Sequence, residues 1–493
     1  MPSALATVLY AGFVVFLFWR DIRQNPNVTG ALWIPLIWLF IITSRFVSAW
    51  LDIAGWHVGG RSLEEGSPAD ALVSLMLMVA GLWVLARRGF RLSEFIRHNR
   101  WLTFFLLYCF VAVFWSDFMF VSFKRWFKIL GQPIMVLVLF TEPDFETALS
   151  TLLKRCAYLV VPLSILFIKY FPELGRGFSE WTGQPFNKGI TLDKNALGTD
   201  CLIFGFFFVW YLLKVAQWEK SKLRRNELIL CGIFLVLIWW LLVRAQSSTS
   251  LVTLLIGVLL LAVLGMRWCK REYVGTWILL AIAGCAAAEY VFGISDLFFQ
   301  ALGKDRTLTD RTLIWHDCLS IPINPIIGVG FESFWLGDRQ EFMNSKWYWH
   351  PNEAHNGYLE AYLNLGLIGL GILLTLLLAT FWKARRELLT NFHFGRFRVA
   401  FLCALVIYNW TESSFKALHP MWFMFYIIAL DYPPPEPAPA LETEPEGELA
   451  PTAELRPLPH LTDHAGAAPR FPGPESRRGG QALETKLTPG GLK

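Results

Sequence analysis

Charge is what this chain has least of. Only 17% of its 493 residues are Asp, Glu, Lys or Arg, where soluble domains carry about 25%. That shortage argues against a string of water-soluble domains. The formal net charge is just +5, and the basic residues gather at the ends of apolar runs. This is the pattern of membrane topology rather than of nucleic-acid binding. The eight cysteines, Cys109, Cys156, Cys201, Cys231, Cys269, Cys285, Cys318 and Cys403, show no metal-ligand spacing. Most lie inside apolar runs as small packing residues. Cys318 alone falls in an expected outer loop, so no disulfide framework is implied. No Asp-x-Asp pair of metal-ligand character stands out, and no internal repeat is visible. The first apolar run lacks a basic leader and a small-residue cleavage site, so it is expected to be a retained helix.

What is present is apolar and aromatic. Hydrophobic residues make up 55% of the chain, with 23 Trp and 41 Phe, and the mean hydropathy is +0.43. A membrane span needs about 20 mostly apolar residues. Runs near that length cover 3–19, 31–50, 69–86, 101–116, 122–140, 152–170, 196–214, 228–243, 251–266, 274–293, 358–382, 398–413 and 419–431. The expected fold is therefore an all-α polytopic bundle of about 12–13 spans, occupying residues 1–431. Four loops are rich in Lys and Arg: 87–100, 214–225, 267–271 and 383–398. Counting spans places all four on one face, which the positive-inside rule makes cytoplasmic.

The opposite face holds 51–68, 171–195, the turn 244–250 and the long loop 294–357. The last is the largest segment between spans. Loops beyond about 12–15 residues are usually functional or disordered. This one contains Phe331, Phe334, Trp335, Trp347, Tyr348 and Trp349, enough apolar surface to fold over the bundle. After Tyr432 the composition turns to Pro, Glu, Gly and Ala. Residues 432–493 are expected to form a disordered cytoplasmic tail.

Two residues of the long loop carry chemical promise. His355 lies just before a helix start at the membrane surface, and histidine can act as a base near neutral pH. Arg311 can grip phosphate oxygens through its planar fork. Together they suit a phosphorylated headgroup whose lipid tail stays in the bilayer. The purely structural alternative is a capped loop, with Arg311 bonded to Asp310 or Asp317 and His355 at a helix terminus.

The same residues sit in an ordered series: Leu308-Thr309-Asp310-Arg311-Thr312-Leu313-Ile314-Trp315, Gly328-Val329-Gly330-Phe331, Ala354-His355-Asn356-Gly357-Tyr358-Leu359-Glu360, then Leu365-Gly366-Leu367-Ile368-Gly369-Leu370. This series resembles the O-antigen ligase and polymerase superfamily, and within it the succinoglycan-type, ExoQ-like exopolysaccharide polymerases. Upstream, Gly189-Ile190-Thr191-Leu192-Asp193-Lys194-Asn195-Ala196-Leu197-Gly198 resembles the family's Lys-Asn motif before a helix. Trp115-Ser116 with Lys124 and Arg125 resembles its early outer-loop motif. The resemblance spans roughly residues 115–370.

The resemblance implies a metal-independent, cofactor-free glycosyltransferase of the bacterial cytoplasmic (inner) membrane, active on its periplasmic face. It would join polyprenyl-diphosphate-linked oligosaccharide repeat units by a single inverting displacement onto a glycan acceptor. His355 would be the base and Arg311 the phosphate ligand. Arg244, Lys194 or Arg125 would supply further positive charge. One departure stands out: relatives carry a basic residue in the short Ser-rich turn, where this chain has Ser248, with Arg244 about one helical turn earlier. Asn356 and Asn195 could hold sugar hydroxyls or cap helices. His350 is a second candidate base, Glu353 could orient either histidine, and Trp315 could stack on a sugar or simply pack. The expected partners are the lipid-linked donor, the acceptor, membrane lipid and other polysaccharide assembly and export proteins, with no nucleic acid.

Three other readings stand beside the polymerase. A ligase of the same superfamily would transfer a finished glycan to lipid A core or another acceptor. A transporter of lipid-linked glycan would depend on ionisable residues in mid-span. A structural subunit of an export complex would tolerate change at His355 and Arg311.

Overall fold

A computed structural model describes residues 2–57, 66–178, 183–293 and 311–433. The expected tail beyond residue 433, the start of the long loop (294–310) and Asp310 lie outside the described residues. The helices are α1 (Ser3–Gln24), α2 (Trp33–Ile42), α3 (Val47–Ile53), α4 (Pro68–Arg87), α5 (Leu92–His98), α6 (Arg100–Val111), α7 (Met119–Ile129), α8 (Gly131–Phe140), α9 (Phe145–Tyr170) and α10 (Pro172–Gly175). After a short hairpin follow α11 (Lys194–Val215), α12 (Lys222–Ala245), α13 (Ser248–Leu264), α14 (Val274–Phe292), α15 (Arg311–Ser320), α16 (Gly337–Lys346), α17 (Gly357–Thr390), α18 (Phe392–Thr411) and α19 (Pro420–Ala429). The hairpin pairs β1 (Arg176–Phe178) antiparallel to β2 (Pro185–Asn187), with Gly177 opposite Phe186. It is an element the all-helical expectation did not contain.

Among the described residues, seven helices are long and apolar enough to cross a membrane, and a bent pair raises this to eight. The chain is a multi-pass membrane protein. Every apolar run read from the sequence carries helix, but several runs are interrupted. The run 31–50 bends by 69° between Gly30–Ile42 and Val47–Ile53. The run 122–140 divides at Leu130 into α7 and α8. Helices α6, α13 and α19 are shorter apolar helices. Hydropathy registers the length of an apolar run but not a break in its backbone hydrogen bonding. The count of full-length spans is therefore smaller than the count of runs.

Helices α9 and α11 form the centre, each with 78% of its apolar window buried, whereas α14 has only 6% buried. Around the centre, α11 packs on α12 and α13, α13 on α18, α18 on α17, and α17 on α6. Side chains close the helix starts. Asp144 caps α9 through Thr147 N, Asp193 caps α11 through Asn195 N and Ala196 N, and Ser221 caps α12 through Arg224 N. Each cap satisfies an amide that the first helical turn leaves open.

The long loop folds on a small core of its own. Ile314, Cys318, Val329, Phe334, Met343, Ala354 and Leu363 are buried together, with Trp315, Trp335, Trp347 and Trp349 packed against them. The aromatic content of the loop is thus used to bury surface, as its composition implied.

Candidate functional site

A break in α17 builds the floor of the site. Gly366 has φ 67 and ψ −168 inside an otherwise helical run. A Cβ there would lie 2.2 Å from the Ile326 carbonyl oxygen, so only glycine fits. The break frees backbone groups on both sides, and residues 325–330 take them up. Leu367 N donates to Pro325 O at 2.9 Å and Ile368 N to Ile326 O at 3.1 Å. Val329 N and Gly330 N donate to Leu363 O and Asn364 O at 3.2 and 2.9 Å. Irregular backbone is tolerated near a bilayer where protein covers it and completes its hydrogen bonds. The Gly-Val-Gly-Phe series and the Leu-Gly-Leu series, read separately in the sequence, are two halves of this one joint. Tyr108 Oη donates to Leu365 O at 3.0 Å, and Trp115 Nε1 donates to Ile327 O at 3.1 Å. The early Trp-Ser motif therefore braces the joint.

Above that floor, Asn356 caps α17, its Oδ1 accepting from Tyr358 N and Leu359 N at 3.0 Å each. The cap fixes the residue before it. His355 has φ +51, a left-handed conformation costly for a histidine and associated with functional turns. Two bonds pin this corner to the turn between α18 and α19. Gly357 N donates to Glu412 O at 3.1 Å, and Asn356 N donates to Ser413 Oγ at 3.0 Å. Trp315 Nε1 donates to Ala354 O at 2.8 Å from the other side.

The side chains meet in a chain of alternating charge. Arg311 Nη2 donates to Glu412 Oε1 at 2.8 Å. The other oxygen, Oε2, lies 3.5 Å from His355 Nδ1, and Glu353 Oε1 lies 2.9 Å from the same nitrogen. Glu353 Oε2 accepts from Lys416 Nζ. The Arg311 and Glu412 side chains are 13% and 7% exposed, and His355 is 20% exposed. Among the described residues, the second guanidinium nitrogen, Arg311 Nη1, is buried with no hydrogen-bond partner.

These contacts set the charge states. Burial alone would lower the His355 pKa, but Glu353 and then Glu412 outweigh it and raise it from 6.5 to about 9. Burial would push Glu353 up, yet Lys416 and His355 hold it well below the usual carboxylate range. Glu412 is likewise pulled down against burial by Arg311 and His355. Lys416 is raised, because Glu353 overcomes its desolvation. At neutral pH the site holds three cations and two carboxylates.

Arg311, His355 and Glu353, named from the sequence, thus come together through Glu412. The structural alternative expected Arg311 on Asp310, which lies outside the described residues, or on Asp317. Instead Asp317 accepts from Lys346 Nζ at 2.7 Å and from Trp347 Nε1 at 3.0 Å. Lys194 and Asn195 open α11 behind their cap, Asp193, which lies within electrostatic reach of Glu353 and Glu412. Asn195 is not the cap, whereas Asn356 is. Trp315 acts as an anchor through its indole N–H. His350 is exposed and has no side-chain hydrogen bond or ion pair among the described residues, so the structure does not bring it to the cluster. Arg125 Nη1 donates to Glu332 O and so ties α7 to the loop joint. Arg244 is exposed at the end of α12, its guanidinium 5.4 Å from the Trp240 ring centroid. It makes no contact with Arg311 among the described residues.

Two members of the cluster escaped the sequence reading. Glu412 and Lys416 lie in Glu412-Ser413-Ser414-Phe415-Lys416, a short polar turn between two apolar runs. The signal was a pair of opposite charges in a short connection between two apolar runs. Glu353, His355 and Glu412 also offer three ligand atoms within 4.8 Å of one another, a spacing a divalent cation can use. Such an ion would have to compete with Arg311 and Lys416, which already neutralise both carboxylates.

Comparison with known proteins places this geometry. Residues 233–374 match the family model Wzy_C, described as O-antigen ligase. That stretch runs from α12 to the first half of α17 and includes Arg244, Arg311, Glu353 and His355. It leaves out Glu412 and Lys416. The chain is also similar to the exopolysaccharide production protein ExoQ of Rhizobium meliloti, 27% identical over 308 residues. That similarity covers 59% of this chain and 66% of the relative, just under two thirds of the relative's length. Residues 233–374 of this multi-pass membrane protein thus carry a Wzy_C, O-antigen ligase domain, and the chain is a distant homologue of ExoQ.

Proposed function

We propose that this chain is an inverting glycosyltransferase that joins polyprenyl-diphosphate-linked oligosaccharide units into a surface or exported polysaccharide, at the periplasmic face of a bacterial inner membrane. The observation that carries the reading is the half-satisfied guanidinium of Arg311, coupled through one carboxylate to a histidine just before the start of α17. A diphosphate leaves well if its developing charge meets a fixed cation. Arg311 supplies that cation. Lys194 on α11 and Arg244 on α12 are further positive charges for the headgroup or the membrane surface. Arg125 positions the loop rather than the phosphate.

His355 Nδ1 faces Glu353, which holds its proton on that nitrogen and leaves Nε2 for the acceptor. The acceptor oxygen attacks the anomeric carbon. The bond from that carbon to the diphosphate oxygen breaks, and polyprenyl diphosphate departs with the electron pair. The acceptor proton passes to His355 Nε2. The configuration inverts in one displacement. Because His355 is a cation in the resting site, it must lose its Nε2 proton before it can serve as base.

The decisive experiment reconstitutes the full chain with lipid-linked repeat units from a producing strain and sizes the products. Long lipid-linked polymer from the wild type, and single repeats from His355→Ala at normal membrane level, support the polymerase. A second reading, ligase, draws on the description of the family model. It predicts polymer moved intact to a lipid A or other acceptor. Wild-type output from His355→Ala would remove both readings.

A further inference from the structure

The two carboxylates of the cluster are held unequally. Glu353 is held from both ends, by His355 at 2.9 Å and by Lys416. Glu412 is fixed through its backbone, since its N–H donates to Tyr408 O at 3.1 Å and its carbonyl accepts from Gly357 N at 3.1 Å. Its side chain, however, has two charged partners among the described residues: Arg311 at 2.8 Å and His355 at the looser 3.5 Å. Arg311 in turn spends one edge on Glu412 and keeps Nη1 buried without an acceptor among the described residues. A guanidinium fork reaches its full strength on a bidentate oxyanion. Glu412 Oε1 fills half of that requirement.

We propose that Glu412 is the resting counter-anion of Arg311, a positioning residue that the donor's diphosphate displaces. This rests on the reading of Arg311 as the diphosphate ligand. In the empty site a buried guanidinium without a partner would be costly, and Glu412 removes that cost while aiming the fork. An arriving diphosphate brings two oxyanions on adjacent phosphates. It satisfies Nη1 and Nη2 together and takes Nη2 from Glu412. The freed carboxylate is not stranded, because His355 already stands beside its other oxygen and its backbone does not need to move. Arg311 and His355 are thereby linked through one side chain. The arrival of the leaving group at Arg311 closes Glu412 onto the imidazole that receives the acceptor proton. Glu353 cannot play this part, because Lys416 holds the oxygen that would have to turn.

Displacement makes an unusual prediction: removing a native ion-pair partner should tighten binding. Full-length protein in nanodiscs would be titrated calorimetrically with geranyl diphosphate as the probe. Glu412→Gln should bind it roughly 3- to 10-fold more tightly than wild type, since a charged competitor for the guanidinium has been removed. Arg311→Gln should bind it at least about tenfold more weakly. With lipid-linked repeat units, Glu412→Gln should lower both the donor KM and kcat. A merely structural role would leave donor affinity unchanged or weaken it. Glu412→Asp keeps the charge and shortens the reach, so it should also bind more tightly, by a smaller factor. It carries the test should Glu412→Gln fail to fold. Equal or weaker binding by the folded Glu412 variants overturns the proposal while leaving Arg311 as a ligand. Failure of wild type to bind the probe, with Arg311→Gln no different, overturns the reading of the site itself.

Discussion

Two of the knots of buried charge in this bundle differ in one respect. The first joins α1, α9, α11 and α12. Asp21 meets Lys154 at 3.1 Å and Arg155 at 2.8 Å, while Glu227 meets Arg20 at 2.5 Å, Lys154 at 3.7 Å and Tyr211 Oη at 2.9 Å. All of these residues sit on helices, and every carboxylate oxygen has a partner. The second is the Arg311–Glu412–His355–Glu353–Lys416 chain. Its members come from loops and from the first turn of α15. It contains a histidine at φ +51 and a guanidinium nitrogen without an acceptor among the described residues. Both knots are dense, so density of charge does not separate structure from chemistry. Completeness does. A fully paired network inside a bundle can only fix helices against one another, whereas an incompletely paired one on irregular backbone has capacity left for a ligand.

Exchanging the consequences of mutation between the knots would break that distinction most directly. Asp21→Ala strands Arg155 in the interior and leaves Lys154 with Glu227 at 3.7 Å, and losing one partner of a buried pair costs about 3–5 kcal/mol. Detergent-solubilised protein should show a lower melting temperature and reduced membrane level. His355→Ala should keep both near wild type and lose activity by a factor of about 10²–10⁴, the usual contribution of a general base. If Asp21→Ala stayed folded and His355→Ala did not, the assignment of the two knots would be reversed.

The joint beneath the second knot comes next in size. Gly366→Ala places a methyl 2.2 Å from Ile326 O in a backbone region that only glycine occupies readily, at a cost of about 1–3 kcal/mol from the backbone alone. It should lower thermal stability and activity together. A loss of stability without a loss of activity would detach the joint from the site.

A pH profile sharpens the comparison further. With a pKa raised to about 9, His355 is protonated below that value and becomes a free base as pH rises through it. Arg311 and Lys416 oppose the proton, and Glu353, Glu412 and nearby Asp193 favour it. kcat/KM should therefore climb close to tenfold per pH unit between about 6.5 and 8.5, then level near 9. Glu353→Gln removes the largest upward pull and should move the limb to lower pH. A flat profile that instead falls above 9 would make His355 a required cation and place the base elsewhere. The smallest effect is expected from a chelator. EDTA should leave turnover of the lipid-linked donor unchanged, and a loss restored by one divalent ion would assign the Glu353–His355–Glu412 trio to metal.

Much of this was legible along the chain. Apolar runs located the helices, because burial in lipid or in a bundle core leaves a compositional trace over about 20 residues. Asn356 announced a helix start through local capping chemistry, whereas at the start of α11 the cap is Asp193 rather than the expected Asn195. Arg311, Glu353 and His355 stood out as polar groups in a long aromatic loop. What was not legible depended on distance. Glu412 reaches Arg311 across 101 residues, and nothing in either neighbourhood points to the other. Lys416 was hidden because two charges in a five-residue turn look like ordinary solvated ends. The resemblance implied Arg125 and Arg244 as further positive charge near the phosphates. The fold gives one to a backbone carbonyl and sets the other beside a tryptophan ring.

The sequence by itself determined that the chain lives in a membrane and where its helices lie. It also singled out the loop that carries Arg311, Glu353 and His355, because hydropathy, capping and the chemistry of single residues are local properties. Only the tertiary structure decided that α17 breaks at Gly366 to receive the loop, and that His355 is a cation in the resting site. It alone decided that Arg311 waits on a glutamate from another turn. Those outcomes depend on which groups meet after the chain has folded, and on how much solvent each of them loses.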